Sequence, residues 1–152
     1  MSSETSQSVA GGWLGAYYFE SRTRTPVRFE ASFVRLPDPE GDGGGRFGGS
    51  LLDDEGGSGS AVVSHGVQQG SFVRFIKVPN PPAPGLFPAN YVGTLSEDGR
   101  VLTGHWKITL SETRRGRARE IVGTWEARRL WHAGDDETGQ GAEAERELTA
   151  AG

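Results

Sequence analysis

Five times along this chain a glycine sits between two large apolar residues, each two positions away. The five are Trp13-x-Gly15-x-Tyr17, Phe47-x-Gly49-x-Leu51, Tyr91-x-Gly93-x-Leu95, Leu102-x-Gly104-x-Trp106 and Ile121-x-Gly123-x-Trp125. In an extended chain positions i−2, i and i+2 share a face; in a helix they do not. The pattern therefore predicts strands whose inner wall reads large, nothing, large. Helical periodicity is almost absent between residues 11 and 132, where period-two alternation prevails.

Eight segments alternate in this way: 13–19, 27–33, 46–53, 59–65, 71–78, 90–96, 101–110 and 118–130. In the second, Val27, Phe29, Ala31 and Phe33 oppose Arg28, Glu30 and Ser32. In the fifth, two faces compete: Phe72, Arg74 and Ile76 against Val73, Phe75 and Lys77. The breaks carry turn chemistry, with Glu97-Asp98-Gly99 reading as a compact hairpin turn in which glycine takes positive φ cheaply. Pro79–Pro88 holds five of the eight prolines and predicts a stiff, extended connection.

Short strands joined in sequence predict an all-β, single antiparallel up-and-down barrel of about eight strands. A two-sheet sandwich is the structural competitor. Closure removes exposed strand edges, and about eight strands enclose an interior just filled by side chains or able to hold one small ligand. The inward glycines have two compatible readings. They let strands bend so that the barrel closes, or they leave a void ringed by aromatics.

The domain expected is 11–132. The flanks, 1–10 and 133–152, lack aromatics and read as disordered tails. The second is acidic, six carboxylates against Arg146, and leaves the central stretch at +2 within a chain of net charge −4. No apolar run approaches the ~18 residues needed to span a bilayer, so no membrane partner is expected. The opening residues show no basic-then-apolar leader, and the chain has no cysteine. Both point to the cytoplasm and exclude disulfides, thiolate metal sites and a cysteine nucleophile.

Gly11-Gly12-Trp13 at the start of the first segment, with Arg129 sharing the parity of Trp125 near the end of the last, resembles the calycin group. These are the lipocalin, fatty-acid-binding and avidin-like barrels. Their shared mark is Gly-x-Trp opening the first strand, with an Arg or Lys from the last strand packed over the Trp. The resemblance implies a calycin-like barrel, an Arg129–Trp13 cap at one end and a pocket at the other. The lipocalin Thr-Asp-Tyr turn motif is absent, and no ligand carries over.

Recognisable chemistry is sparse. His65, His105 and His132 lie far apart, with no partner at ligand spacing, so no metal is expected. Asp38-x-Glu40-x-Asp42-Gly43 opens like a calcium loop, but its twelfth position is Gly49 and no helices flank it. Asp53-Asp54-Glu55 reads as an exposed turn. No phosphate-binding loop or nucleophile elbow occurs, and no cofactor is implied. Arg114, Arg115, Arg117 and Arg119 cluster in one hairpin, but beside a nearly neutral core and an acidic tail they read as a solvated loop, so no nucleic-acid partner is expected.

The candidate ligand-binding residues are Trp13, Tyr17, Tyr91, Trp106 and Trp125, with Arg74 or Lys77 as polar contacts and Phe87 as a lid over the mouth. His65, Tyr91 and Tyr17 are the candidates for proton transfer. The leading expectation is a barrel holding a small apolar or aromatic molecule. The alternatives are a cofactor-free cyclase or isomerase using the same cavity, and a cavity-free protein-interaction module. A homo-oligomer stays open.

Overall fold

The computed structural model describes residues 7–21, 24–37, 45–112 and 117–133, with the backbone alone at 111, 112, 117 and 118. Eight strands follow one another: β1 (Gly11–Phe19), β2 (Val27–Arg35), β3 (Gly45–Asp53), β4 (Ser60–Gln69), β5 (Phe72–Pro79), β6 (Ala89–Leu95), β7 (Val101–Glu112) and β8 (Arg117–His132). Each pairs with its sequence neighbours, and β8 returns to β1, so the sheet closes as an antiparallel barrel. Closure satisfies every edge strand, which a sandwich would leave open. Residues 1–6 and 134–152 of the two tails, the Asp38–Gly43 motif, Arg114 and Arg115 lie outside the described residues, as does the side chain of Arg117; of the first tail, 7–10 are described, with Val9 and Ala10 buried. Arg119 is exposed.

Alternation decides what is inside. In β2, Val27, Phe29, Ala31 and Phe33 are buried, whereas Arg28 and Glu30 face solvent. In β5 the inward face is Val73, Phe75 and Lys77, which turns Arg74 outward. In β4 the inward run of Ala61 and Val63 stops at a bulge between Ser64 and Val67. There His65 takes φ 54° and is exposed. One inserted residue is enough to reverse the facing of all that follows.

Aromatic side chains fill the middle of the barrel. Trp13 touches Phe33, Phe33 touches Phe47 and Phe75, and Phe75 stacks on Tyr91 with ring centres 4.9 Å apart at 15°. Trp125 meets both Phe75 and Tyr91 edge-on. Such pairs contribute about 0.5–1.5 kcal/mol each beyond the area they bury.

The glycine notches are not a void. A methyl placed on Gly93 would lie 2.6 Å from the Trp125 ring, one on Gly123 2.6 Å from the Trp106 ring, and one on Gly15 2.7 Å from Phe29. Trp125 sits opposite Gly104, which sits opposite Gly93, so the indole crosses two backbones that carry no side chain. Its Nε1 then donates to the Val92 carbonyl at 2.9 Å. Trp106 lies across Gly123 in the same manner and donates to the carbonyls of Tyr18 and Thr124. Gly93, Gly104 and Gly123 are where indoles cross strands, whereas Gly15 meets the Glu126 carbonyl and the Phe29 ring, and Gly49 the backbone of Ser32.

One end is sealed. The Arg129 guanidinium lies 4.5 Å from the centre of the Trp13 ring and donates to the carbonyls of Gly99, Ala10 and Ser8. The Trp13 Nε1 donates to the Val9 carbonyl at 2.9 Å, which pins the segment before β1 under the indole.

Candidate functional site

The other end is open. A cavity of about 230 Å³ lies there, walled by Tyr17, Phe19, Trp106, Ile108 and Ile121, with Lys77, Ala89 and Tyr91 also facing it. Its mouth is framed by Gly56–Ser58 from the β3–β4 loop, by Gly85, Leu86 and Phe87 from the proline-rich β5–β6 loop, and by Arg24. Phe87 is about half exposed at that rim.

Size alternation makes the space. Around this end β1, β5 and β7 supply Tyr17, Lys77 and Trp106, whereas β2, β4 and β6 supply Val27, Ala61 and Ala89. Large residues from one set of strands reach across small ones from the other, a layered filling typical of small barrels. Here it stops short of complete.

Beside the cavity lies a buried charge pair. The Lys77 Nζ donates to Asp53 Oδ2 at 2.6 Å, with the side chains 6 % and 0 % exposed. Tyr17 Oη donates to the same oxygen at 2.9 Å, and so do the backbone amide and hydroxyl of Ser58, at 3.0 and 3.1 Å. Four donors on one carboxylate oxygen offset the cost of burying the charge. Asp53 Oδ1 is buried with no partner among the described residues. The Lys77 ammonium also lies 4.6 Å from the centre of the Tyr17 ring.

Burial governs the titration of these groups. It lowers Lys77 against the upward pull of Asp53. It raises Tyr17, with the Asp53 charge and hydrogen bond adding to the effect. It raises Tyr91 well above the ordinary phenol range, helped by Tyr17 and Asp53. The Tyr91 hydroxyl makes no hydrogen bond among the described residues.

The structure brings Tyr17, Lys77, Phe87, Tyr91 and Trp106 together at this cavity. Trp13 belongs to the sealed end and Trp125 to the aromatic plug, so neither faces the cavity. His65 and Arg74 lie on the outer surface beside a depression that also includes Arg46 and Leu36. His65 hydrogen-bonds Ser64 there through Nδ1 at 2.7 Å. The reading of Asp53 as part of an exposed turn is corrected: it is 6 % exposed and continues the inward parity of Leu51, while Asp54 and Glu55 are in solvent. That shared parity is the signal that could have found it.

Among the described residues no cluster of three or more His, Cys, Asp or Glu is placed to hold a metal ion, and no helix is long and apolar enough to cross a membrane. The fold and cavity define a closed eight-stranded antiparallel barrel with one sealed and one open end. No protein-family profile, curated protein or solved structure matches the chain.

Proposed function

We propose that this barrel binds a small, largely apolar or aromatic molecule in its open-end cavity. The observation that carries the reading is the unfilled space itself, walled by Tyr17, Phe19, Trp106, Ile108 and Ile121 in a barrel otherwise packed with rings. An apolar void of this kind forfeits contacts that a guest restores. The calycin resemblance adds support, since an Arg129–Trp13 cap at one end goes with a pocket at the other. At about 230 Å³ the cavity lies below the ~300–1,000 Å³ usual for drug-sized ligands, so the guest is a single ring or its equivalent. The lack of cysteine suits a reducing cytoplasm as its setting.

The test is a thermal-shift and calorimetric panel of single-ring and short apolar molecules, anionic, neutral and cationic, alongside native mass spectrometry of gently purified protein. Binding should vanish in Ala89→Phe, which places a ring in the cavity from β6, while strand circular dichroism is kept. A panel without a ligand, or ligands that bind Ala89→Phe equally well, would remove the proposal.

The Lys77–Asp53–Tyr17 chain beside an unpartnered Tyr91 hydroxyl favours a second reading, a cofactor-free cyclase or isomerase. Tyr91 would donate a hydrogen bond to a developing oxyanion while the walls fold the substrate. Turnover of a captured guest, lost in Tyr91→Phe with binding retained, selects this reading over the binder.

A further inference from the structure

The side chains facing the cavity are unbalanced in hydrogen-bonding capacity. Tyr17, Ser58 and Trp106 already donate to protein acceptors. Three groups hold unused N–H or O–H bonds: Lys77, which spends one of its protons on Asp53, and Tyr91 and Arg24. No carboxylate or amide side chain lines the space among the described residues. The nearest carboxylate, Asp53, is not among the lining residues; one of its oxygens takes four donors, and the other, Oδ1, is buried without a partner among the described residues.

The charge count runs the same way. Lys77 and Asp53 cancel as a pair. Arg24 does not: its guanidinium sits 4.1 Å over the Phe19 ring at the mouth, with no ion-pair partner among the described residues. Among the described residues the lining therefore carries one unit of positive charge, and that charge lies at the rim, where an anionic head keeps part of its water. A buried donor without an acceptor is costly, and a guest that supplies acceptors removes that cost.

From this donor surplus, and resting on the cavity reading above, we infer that the guest is a single-ring aromatic or apolar monoanion, a carboxylate in class. Its carboxylate sits at Arg24, and its body lies against Tyr17, Trp106 and the two isoleucines. The cavity volume, near 230 Å³, equals about eight waters at ~30 Å³ each, which fits one ring and a short arm. Lys77 and Tyr91 reward an acceptor at the far end of the ring.

Phenylacetate, phenylacetamide and phenethylamine have one shape and three charges, and calorimetry at low and high salt ranks them. The expected order is acid, amide, amine, with the acid at least about fivefold tighter than the amide at low salt and the gap narrowing as salt rises. Arg24→Gln should erase that preference, bringing acid affinity down to that of the amide. Equal affinities, a tightest amine, or a preference that survives in Arg24→Gln overturns the monoanion inference while leaving the cavity reading intact. The monoanion inference also falls if none of the three binds but the broader panel yields a neutral ligand. An empty panel removes the cavity reading and the monoanion together.

Discussion

The Lys77 ammonium and the Asp53 carboxylate meet at 2.6 Å inside the barrel, although their strands, β5 and β3, are not neighbours. The contact spans the interior over β4, whose small Ala61 leaves the path clear. Removing one partner strands the other in a medium that cannot solvate it. Asp53→Leu or Lys77→Met is therefore expected to cost about 3–5 kcal/mol in urea unfolding, and the double change Asp53→Leu with Lys77→Met less than the sum of the single changes. Additive losses would show that the two groups do not act as a pair.

At the sealed end, Arg129 combines a ring contact with three carbonyls. Arg129→Ala should lower stability by about 2–4 kcal/mol and shift the fluorescence of Trp13. Arg129→Lys keeps the charge but loses the planar fork, so it should fall between the two. A lysine variant as stable as the native protein would mean that charge alone holds this end.

Glycine substitutions should separate packing from backbone freedom. Gly93→Ala pushes a methyl into the Trp125 ring, 2.6 Å away, at an expected cost of about 1–3 kcal/mol. Gly104→Ala and Gly123→Ala drive a methyl into the Val92 and Tyr18 carbonyls, which cannot yield, and should be worse. Gly85→Ala meets open space at φ +82° and should cost about 1–2 kcal/mol from backbone strain alone. Thermal melts of the four variants give the ranking.

Alkali should unfold the barrel through its tyrosines. Tyr17 and Tyr91 are raised above the ordinary 10.0 chiefly by burial, so the folded chain keeps protons that the unfolded chain releases above pH 10. Their contribution is fully present below that pH and is lost as pH rises beyond it. Lys77 runs the other way. Burial lowers it, so its penalty fades as pH climbs toward 10.5 and offsets nothing further above. Stability should hold or rise slightly to about pH 10 and then fall, with phenolate absorbance from these two rings appearing only on unfolding. Tyr17→Phe should flatten the alkaline slope. Early ionisation of both rings in folded protein would contradict their placement.

The barrel was legible because its determinants are local. Period-two alternation, turn residues and the Pro79–Pro88 stretch each act over a few residues, and together they mark all eight strands. The facing of β5 was not, since Phe72, Arg74 and Ile76 alternate as well as Val73, Phe75 and Lys77. What decides it is Asp53, an interior partner for Lys77 two strands away. His65 escaped because a single bulge residue inverts parity without a compositional mark. The five glycine motifs pointed to the right face but carried two meanings. Only the indoles of Trp106 and Trp125, which arrive from neighbouring strands, show that close crossing is the meaning realised.

The two loops around the opening begin where β3 and β5 end, at Asp53 and two residues beyond Lys77. Ser58, on one of those loops, is itself tied to the Asp53 oxygen. Doorway and floor are thus a single linkage, anchored by one proton-rich knot. Under the proposed reading, a guest that disturbed that knot would also shift the threshold, so its admission and its retention would answer to the same few atoms.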